Sequence, residues 1–256
     1  HSIRRRQRQM CIRDRPNKKK KIEKMKLLLA STSSIHGHSY LSYFKKAWTN
    51  HFKNIDGPVV FIPYARPGGI TWDDYTSIAA NAFNNEGIEL RGIHTFNSPK
   101  DAGMKAGGFF TGGGNTFVLL KTLIDNDSFE VIDKYVRLGK PYMGSSAGTN
   151  IAGPTIGTTN DMPIIYPKTF NAFNWVPFNI NPHYQDPSEN STHMGETRQT
   201  RIQEFHIYNK TPVLGLREGS YIESNGKDHF LKGKLSARIF SAGKQPFEIS
   251  EGALSI

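Results

Sequence analysis

The sequence is poor in cysteine. Its single cysteine, Cys11, lies in a strongly basic stretch at the beginning of the chain. The remainder therefore has no pair of thiols for a disulfide, no thiolate nucleophile and no cysteine-based metal site. Because disulfides are rare in the reducing cytoplasm, we expect a cytoplasmic protein.

Long apolar runs are also missing. No run approaches the roughly 18 apolar residues that a membrane-spanning helix needs. The basic residues near the start are not followed by the apolar stretch of a secretory signal either. We therefore expect neither a membrane span nor a membrane partner.

The positive charge of the chain, +11 at pH 7, is concentrated at its beginning. Residues 1–26 contain twelve of the 33 Lys/Arg and two of the 22 Asp/Glu, so residues 27–256 hold 21 basic and 20 acidic residues. We expect residues 1–24 to be a disordered leader, because they are basic and have no hydrophobic periodicity. Residues 10–14 resemble a translated sequencing adapter, so we expect this leader to be non-native. Residues 25–256 are predicted to form one α/β domain that binds no nucleic acid. A leader that binds nucleic acid or a membrane surface is the alternative.

The hydrophobic pattern alternates between strands and helices up to residue 153, which predicts a mostly parallel sheet flanked by helices. Beyond residue 211, short strands separated by glycine turns predict antiparallel strands that close the fold. The predicted strands are 27–31, 58–63, 88–93, 108–111, 141–143, 178–184, 213–216, 221–223, 230–231, 237–240 and 247–249, and the predicted helices are 40–52, 72–83, 117–124, 129–138, 147–152 and 196–208.

Residues 144–148 fit the pattern Gly-x-Ser-x-Gly between a predicted strand and a predicted helix. A sharp strand-to-helix turn exposes the side chain at its apex, and glycines allow neighbouring backbone to approach. Ser146 is therefore the first candidate nucleophile, and the N–H of Ala147 is a candidate oxyanion donor. A chance match in a glycine-rich chain is the alternative.

Two further sites lie where predicted strands end, and parallel strands place such ends along one edge of the sheet. Residues 112–114 form a glycine-rich turn that could supply a second oxyanion donor, although an ordinary turn would look the same. It lacks the spacing of a nucleotide-binding loop. His183 ends a short strand and is a candidate general base, with a surface-loop histidine as the alternative. No credible metal-ligand cluster is present, and we predict no metal or other cofactor.

Several stretches closely resemble the peptidase E family, serine peptidases that act as α-aspartyl dipeptidases and are related to cyanophycinase. The similarity extends over about residues 26–245. Its motifs occupy 144–150, 153–156, 158–164 and 180–183, with further similarity at 72–76, 112–117 and 195–198. The resemblance implies a class I glutamine amidotransferase-like α/β fold, hydrolysis of dipeptides with N-terminal aspartate, and no metal.

The resemblance also implies roles for particular residues. Ser146 would be the nucleophile, His183 the general base and Glu218 the carboxylate that orients the histidine, with Asp161 as an alternative or supporting acid. The oxyanion would be bound by the N–H groups of Gly114 and Ala147. The implied substrate-binding residues are Arg198, Asn115 and Arg201, although either arginine could simply be solvated.

Two positions depart from the bacterial pattern of this family. Gly157 replaces an arginine and Ser145 replaces a tryptophan, so substrate affinity or range could differ. Because the family is related to cyanophycinase, a cyanophycinase-like or isoaspartyl peptide hydrolase is the main alternative to an Asp-X dipeptidase, although the dipeptidase-like stretch at 160–163 counts against it. The expected partner is a small peptide, and the sequence leaves monomer and homodimer open.

Overall fold

The structure is a computed structural model that describes residues 25–187 and 195–256. The interpretation of residues 1–24 as a leader lies outside these residues. The strands are β1 (Leu27–Ala30), β2 (Val59–Ile62), β3 (Leu90–Gly92), β4 (Gly108–Thr111), β5 (Tyr142–Ser145), β6 (Asn179–Pro182), β7 (Val213–Leu216), β8 (Ser220–Ser224), β9 (His229–Gly233), β10 (Ala237–Phe240), β11 (Phe247–Ile249) and β12 (Gly252–Ala253). The helices are α1 (Lys45–His51), α2 (Trp72–Asn84), α3 (Pro99–Lys105), α4 (Thr116–Asp125), α5 (Ser128–Arg137), α6 (Ala147–Asn150) and α7 (Arg198–Tyr208).

Eight strands form the larger sheet, in the order β12-β9-β8-β1-β5-β4-β2-β3. The five strands from β1 to β3 in this order run parallel, as predicted, whereas β8, β9 and β12 join antiparallel. In β1, Leu27 and Leu29 pack into one hydrophobic cluster, and Leu28 and Ala30 pack into the cluster on the opposite face. Burial on both faces explains why this strand is continuously apolar.

Helices cover both faces of this sheet. Trp48 of α1 and Phe83 of α2 belong to one cluster, and Leu120 of α4 and Ile132 of α5 belong to the other. This arrangement leaves the carboxyl ends of β1, β4 and β5 together at one edge. The candidate residues that follow these strands therefore share one edge of the sheet.

A smaller sheet has the order β11-β10-β7-β6. Here the expectation of antiparallel C-terminal strands holds for β10 and β11 but is incomplete for β7, which pairs parallel with β6. A parallel pair needs a long crossover, and α7 lies in the connection from β6 to β7. The carboxyl ends of β6 and β7 therefore lie next to each other.

Two helices differ from what the sequence pattern predicted. The helix predicted over 40–52 is broken, because Leu41 has a φ of 59° and a 3-10 turn at Ser42–Phe44 precedes α1. Helix α3 was not predicted, although Ser98 caps it by accepting a hydrogen bond from the Asp101 N–H and Pro99 occupies its first turn.

No helix within the described residues is long and apolar enough to cross a membrane.

Candidate active site

Ser146 occupies a sharp turn between β5 and α6. Its backbone has φ 53° and ψ −112°, a conformation that non-glycine residues rarely adopt and that costs roughly 1–3 kcal/mol. The turn is held by the Ser146 N–H, which donates to the Ala30 carbonyl at 3.2 Å. The strained turn presents the hydroxyl at the carboxyl edge of the large sheet.

The two glycines of the Gly-x-Ser-x-Gly pattern are required by close backbone packing. A Cβ on Gly144 would collide with the carbonyl of Gly148, and a Cβ on Gly148 would collide with the carbonyl of Thr111. Side chains at either position would therefore push α6 away from β4 and β5. The pattern here describes the packing of a tight turn and is more than a chance match.

His183 lies immediately after β6, with both ring nitrogens hydrogen-bonded. Its Nε2 is 2.8 Å from the Ser146 Oγ, and its Nδ1 is 2.6 Å from the Glu218 Oε1. Because an ionised carboxylate only accepts, Nδ1 carries the proton and Nε2 accepts from the serine hydroxyl. The arrangement can accept a proton from Ser146 while Glu218 stabilises the resulting imidazolium.

Asp161 is bonded to the start of α4 and not to His183. Its Oδ2 accepts hydrogen bonds from the N–H and hydroxyl of Thr116, both at 2.7 Å, and from the Thr159 hydroxyl at 2.9 Å. These contacts fix the start of α4, whereas both nitrogens of His183 are bonded to other residues. The structure thus brings Glu218, and not Asp161, to the histidine.

Asn115 also serves the start of α4. Its Oδ1 accepts from the Val118 N–H at 3.1 Å, and its Nδ2 donates to the Met162 carbonyl at 2.9 Å. The side-chain amide is therefore used within the protein. It joins the glycine-rich loop to the segment that contains Asp161.

The glycine-rich loop approaches the nucleophile from the neighbouring strand. A Cβ built on Gly113 would lie 3.0 Å from the Ser146 Cβ. Gly114 has a φ of 143°, and a side chain there would collide with the Ala65 carbonyl, so this position requires glycine. The hydroxyl of Tyr75, a residue that the sequence analysis did not single out, donates to the Gly113 carbonyl at 3.2 Å.

Arg198 occupies the first position of α7. Its Nη1 is buried and has no hydrogen-bond partner within the described part of the chain. Burial lowers the pKa of its guanidinium, while the nearby Glu218 carboxylate opposes that shift. A buried N–H group without a partner is costly unless a ligand supplies one. This side chain is therefore suited to bind an anionic group near Glu218.

Arg201 differs from Arg198 in its surroundings. Its side chain is 62% exposed and lies 3.8 Å from the Glu196 carboxylate. Such a surface pair contributes little to stability. The positive charge of Arg201 also helps to lower the pKa of Arg198. The clearest influence of Arg201 on the site is this electrostatic effect on Arg198.

The described residues contain no group of three or more histidine, cysteine, aspartate or glutamate side chains placed to hold a metal ion.

The fold and these contacts define an α/β protein with a hydrogen-bonded serine, histidine and glutamate at the carboxyl edge of a parallel sheet. A sequence model of peptidase family S51 matches residues 27–232. The chain belongs to this family.

Two relatives show how extensive the similarity is. Peptidase E of Streptomyces coelicolor is 44% identical over 229 residues, which cover 90% of this chain and 93% of the relative. A Drosophila melanogaster protein described as a probable alpha-aspartyl dipeptidase is 44% identical over 218 residues, covering 84% of this chain and 90% of its own. The expectation from the motifs, membership of the peptidase E group, is confirmed.

Solved structures agree on the fold. A Listeria monocytogenes EGD-e protein described as a peptidase E superposes with a TM-score of 0.63 at 24% identity, covering 83% of this chain and all of the other. A peptidase from an acI-B1 actinobacterium gives 0.61 at 15% identity, covering 89% and 98% of the two chains. Similarity at this level of identity supports the predicted α/β architecture alone.

Proposed function

We propose that this protein is a serine dipeptidase that hydrolyses dipeptides with N-terminal aspartate through an acyl-enzyme. The observation that carries the proposal is the continuous hydrogen-bonded set Ser146, His183 and Glu218. The names of the S. coelicolor and D. melanogaster relatives support the substrate class.

In the first half of the reaction, the Ser146 Oγ attacks the peptide carbonyl while His183 Nε2 takes its proton. The tetrahedral intermediate collapses when the imidazolium returns that proton to the leaving amine, which departs as the free second amino acid. In the second half, His183 deprotonates a water that attacks the ester. Free aspartate leaves, and Ser146 recovers its proton. Glu218 holds the Nδ1–H throughout.

The oxyanion is bound by the N–H groups of Ala147 and Gly114. Support comes from the Tyr75 hydroxyl, which holds the Gly113 carbonyl. In a trans peptide the N–H of the following residue points the opposite way from that carbonyl, so the peptide that contains the Gly114 N–H has a fixed orientation. The N–H of Ala147 is at the first position of α6 and has no acceptor within that helix. Each such donor contributes about 2.7–4 kcal/mol to transition-state stabilisation.

Arg198 binds the β-carboxylate of the substrate aspartate. Its buried and unpartnered Nη1 supports this assignment, because a planar guanidinium matches a carboxylate with paired hydrogen bonds. We assign Arg201 to raising the positive potential around Arg198. Asp161 and Asn115 are supporting residues that hold the loop beside Gly114.

The domain that carries this activity comprises residues 25–256, and residues 1–24 are not needed for it. The match of the family model from residue 27 supports this division. Deleting residues 1–24 should leave kcat and KM unchanged. Loss of turnover would contradict the division, and loss of polyanion binding alone would show that the leader is a separate binding segment.

We also propose a cytoplasmic location and a peptide as the only required partner, acting on a monomer or a homodimer. The absence of cysteine from residues 25–256 and their nearly neutral charge support this. Because every proposed step uses protein groups, turnover should not require an added metal ion.

The proposal is tested by hydrolysis of Asp-Leu beside Glu-Leu, Asn-Leu and β-Asp-Leu, with the wild type and Ser146→Ala. We expect cleavage of Asp-Leu alone, which the variant loses. Cleavage of β-Asp-Leu instead would indicate an isoaspartyl or cyanophycinase-like activity. No cleavage of any of the four would refute the proposed function.

A further inference from the structure

Ser31 is a fully buried serine that bonds the backbone of His183 and the backbone on either side of Glu218. It directly follows β1. Its Oγ accepts a hydrogen bond from the His183 N–H at 2.9 Å and donates one to the Leu216 carbonyl at 2.8 Å. Its own N–H donates to the Ser220 carbonyl at 3.1 Å. Ser31 thus bonds the backbone of the proposed base and the residues two positions before and two positions after Glu218.

The importance of these contacts follows from the division of the site between two sheets. Ser146 follows β5 of the large sheet, where β1 is its parallel neighbour and Ala30 pairs with Ser145. His183 follows β6 of the small sheet, and Glu218 follows β7. The distance from His183 to Ser146 therefore depends on how the two sheets meet. The Ser31 hydroxyl is a buried hydrogen-bonding group at that junction.

The backbone conformation of His183 is a second reason to expect a contact that holds this residue in position. Its φ is 54°, in the left-handed region that non-glycine residues avoid. Such a conformation persists only where surrounding contacts hold it. The bond from the His183 N–H to Ser31 is one of those contacts, and the direction of the imidazole depends on this backbone.

We propose that Ser31 is a positioning residue for catalysis. It holds the backbone of His183 at the distance and angle at which Nε2 meets the Ser146 hydroxyl. It touches neither substrate nor the reacting atoms. This inference rests on the proposed function for its kinetic consequences, while its geometric content, the position of His183 relative to Ser146 and Glu218, can be tested without substrate.

The test replaces Ser31 with Ala and, separately, with Cys. Ser31→Ala removes both side-chain hydrogen bonds, and Ser31→Cys keeps a side chain of similar size with a weak donor and acceptor. Since small misplacements of a reacting group lower rates strongly, we expect kcat for Asp-Leu to fall about 10- to 100-fold in Ser31→Ala and by less in Ser31→Cys. The KM should change little, because Ser31 lies behind the histidine.

Ser224 provides a matched control. It is also buried in the large sheet, where its hydroxyl accepts a hydrogen bond from the Gly226 N–H at 3.0 Å and lies 2.8 Å from the His229 Nδ1. Ser31, however, bonds Ser220 at the first residue of β8, whereas Ser224 is the last residue of that strand. Ser224→Ala and Ser224→Cys should lower thermal stability comparably and leave kcat unchanged. A kcat within about twofold of wild type in both Ser31 variants would overturn the proposal. So would an equal loss in the Ser224 variants.

Two readouts separate positioning from general destabilisation. The acid limb of the pH profile of kcat/KM, which reports the essential base, should move in the Ser31 variants and not in the Ser224 variants. The downfield proton NMR signal of the His183 Nδ1–H bonded to Glu218 should shift or broaden in the Ser31 variants alone. An unaltered signal would also overturn the inference. Because that spectrum needs no substrate, it remains informative even if wild-type protein fails to cleave Asp-Leu.

Discussion

Replacing Glu218 with Gln tests the assignment of the orienting acid. The change keeps the size of the side chain but removes the negative charge that lies 2.6 Å from the His183 Nδ1. A glutamine can donate its amide hydrogen to Nδ1, which would leave the proton on Nε2, facing Ser146. In that tautomer the histidine cannot accept the serine proton.

The size of the effect follows from the exposure of the carboxylate. In serine-protease triads with a buried aspartate, the corresponding change to asparagine lowers kcat about 10⁴-fold. The Glu218 side chain is 49% exposed, so water screens part of its charge. We therefore expect Glu218→Gln to lower kcat by about 10²- to 10³-fold, with little change in the KM for Asp-Leu.

Asp161→Asn is the matched comparison, since it removes the same charge from the other acid that the sequence suggested. The change weakens the hydrogen bonds from Thr116 and Thr159 and should cost about 1–2 kcal/mol of stability. The Tm should fall by about 2–8 °C, with kcat within about threefold of wild type. The opposite pattern, near-normal turnover in Glu218→Gln and none in a folded Asp161→Asn, would refute the reasoning.

Further predictions concern the two arginines and the acid sensitivity of the fold. Arg198→Gln removes a charge-assisted contact worth about 1.5–3 kcal/mol, so kcat/KM for Asp-Leu should fall about 10- to 100-fold, whereas Arg201→Gln should lower it less than threefold. Equal effects in steady-state assays would contradict the distinction. Hydrogen bonds from Arg217 lower the pKa values of Asp186 and Glu248. Their folded pKa values lie below the unfolded ones, so this stabilisation is present at neutral pH and is lost as the pH falls through the folded values. Thermal melts below about pH 4 should therefore show a smaller further loss of Tm in Arg217→Met than in wild type.

Much of the large sheet could be predicted because its signals are local. The apolar run at 27–30 is buried on both faces, and the glycine turns mark where its neighbours end. Helix α3 could also have been predicted, since the serine that caps it and the proline of its first turn are visible in the sequence. The parallel pairing of β6 with β7 was not, because it joins segments separated by a helix and by residues outside any regular pattern.

The residues of the candidate site also differ in whether a local sequence pattern could predict them. Ser146 was singled out by the Gly-x-Ser-x-Gly pattern after a predicted strand, and His183 because it lies at the end of one. Glu218 and Arg198 required the family resemblance, since neither has a local pattern that distinguishes it from a surface residue. Ser31 was missed, although it too follows a strand at the same edge. Its role depends on a hydrogen bond to a residue 152 positions away, which no sequence spacing encodes.

The position of the site between two sheets also links catalysis to the C-terminal strands. Arg217, next to Glu218, pairs with Asp186, three residues after His183, and with Glu248 of β11, each at 2.8 Å. These ion pairs connect the edge of the small sheet to the segments on which the proposed base and its orienting acid lie. The nucleophile turn, by contrast, is bonded directly to β1 of the large sheet, because the Ser146 N–H and the Thr149 hydroxyl both donate to the Ala30 carbonyl. Loosening β11 should therefore displace His183 and Glu218 while leaving Ser146 in place, which would lower kcat before it unfolds the large sheet.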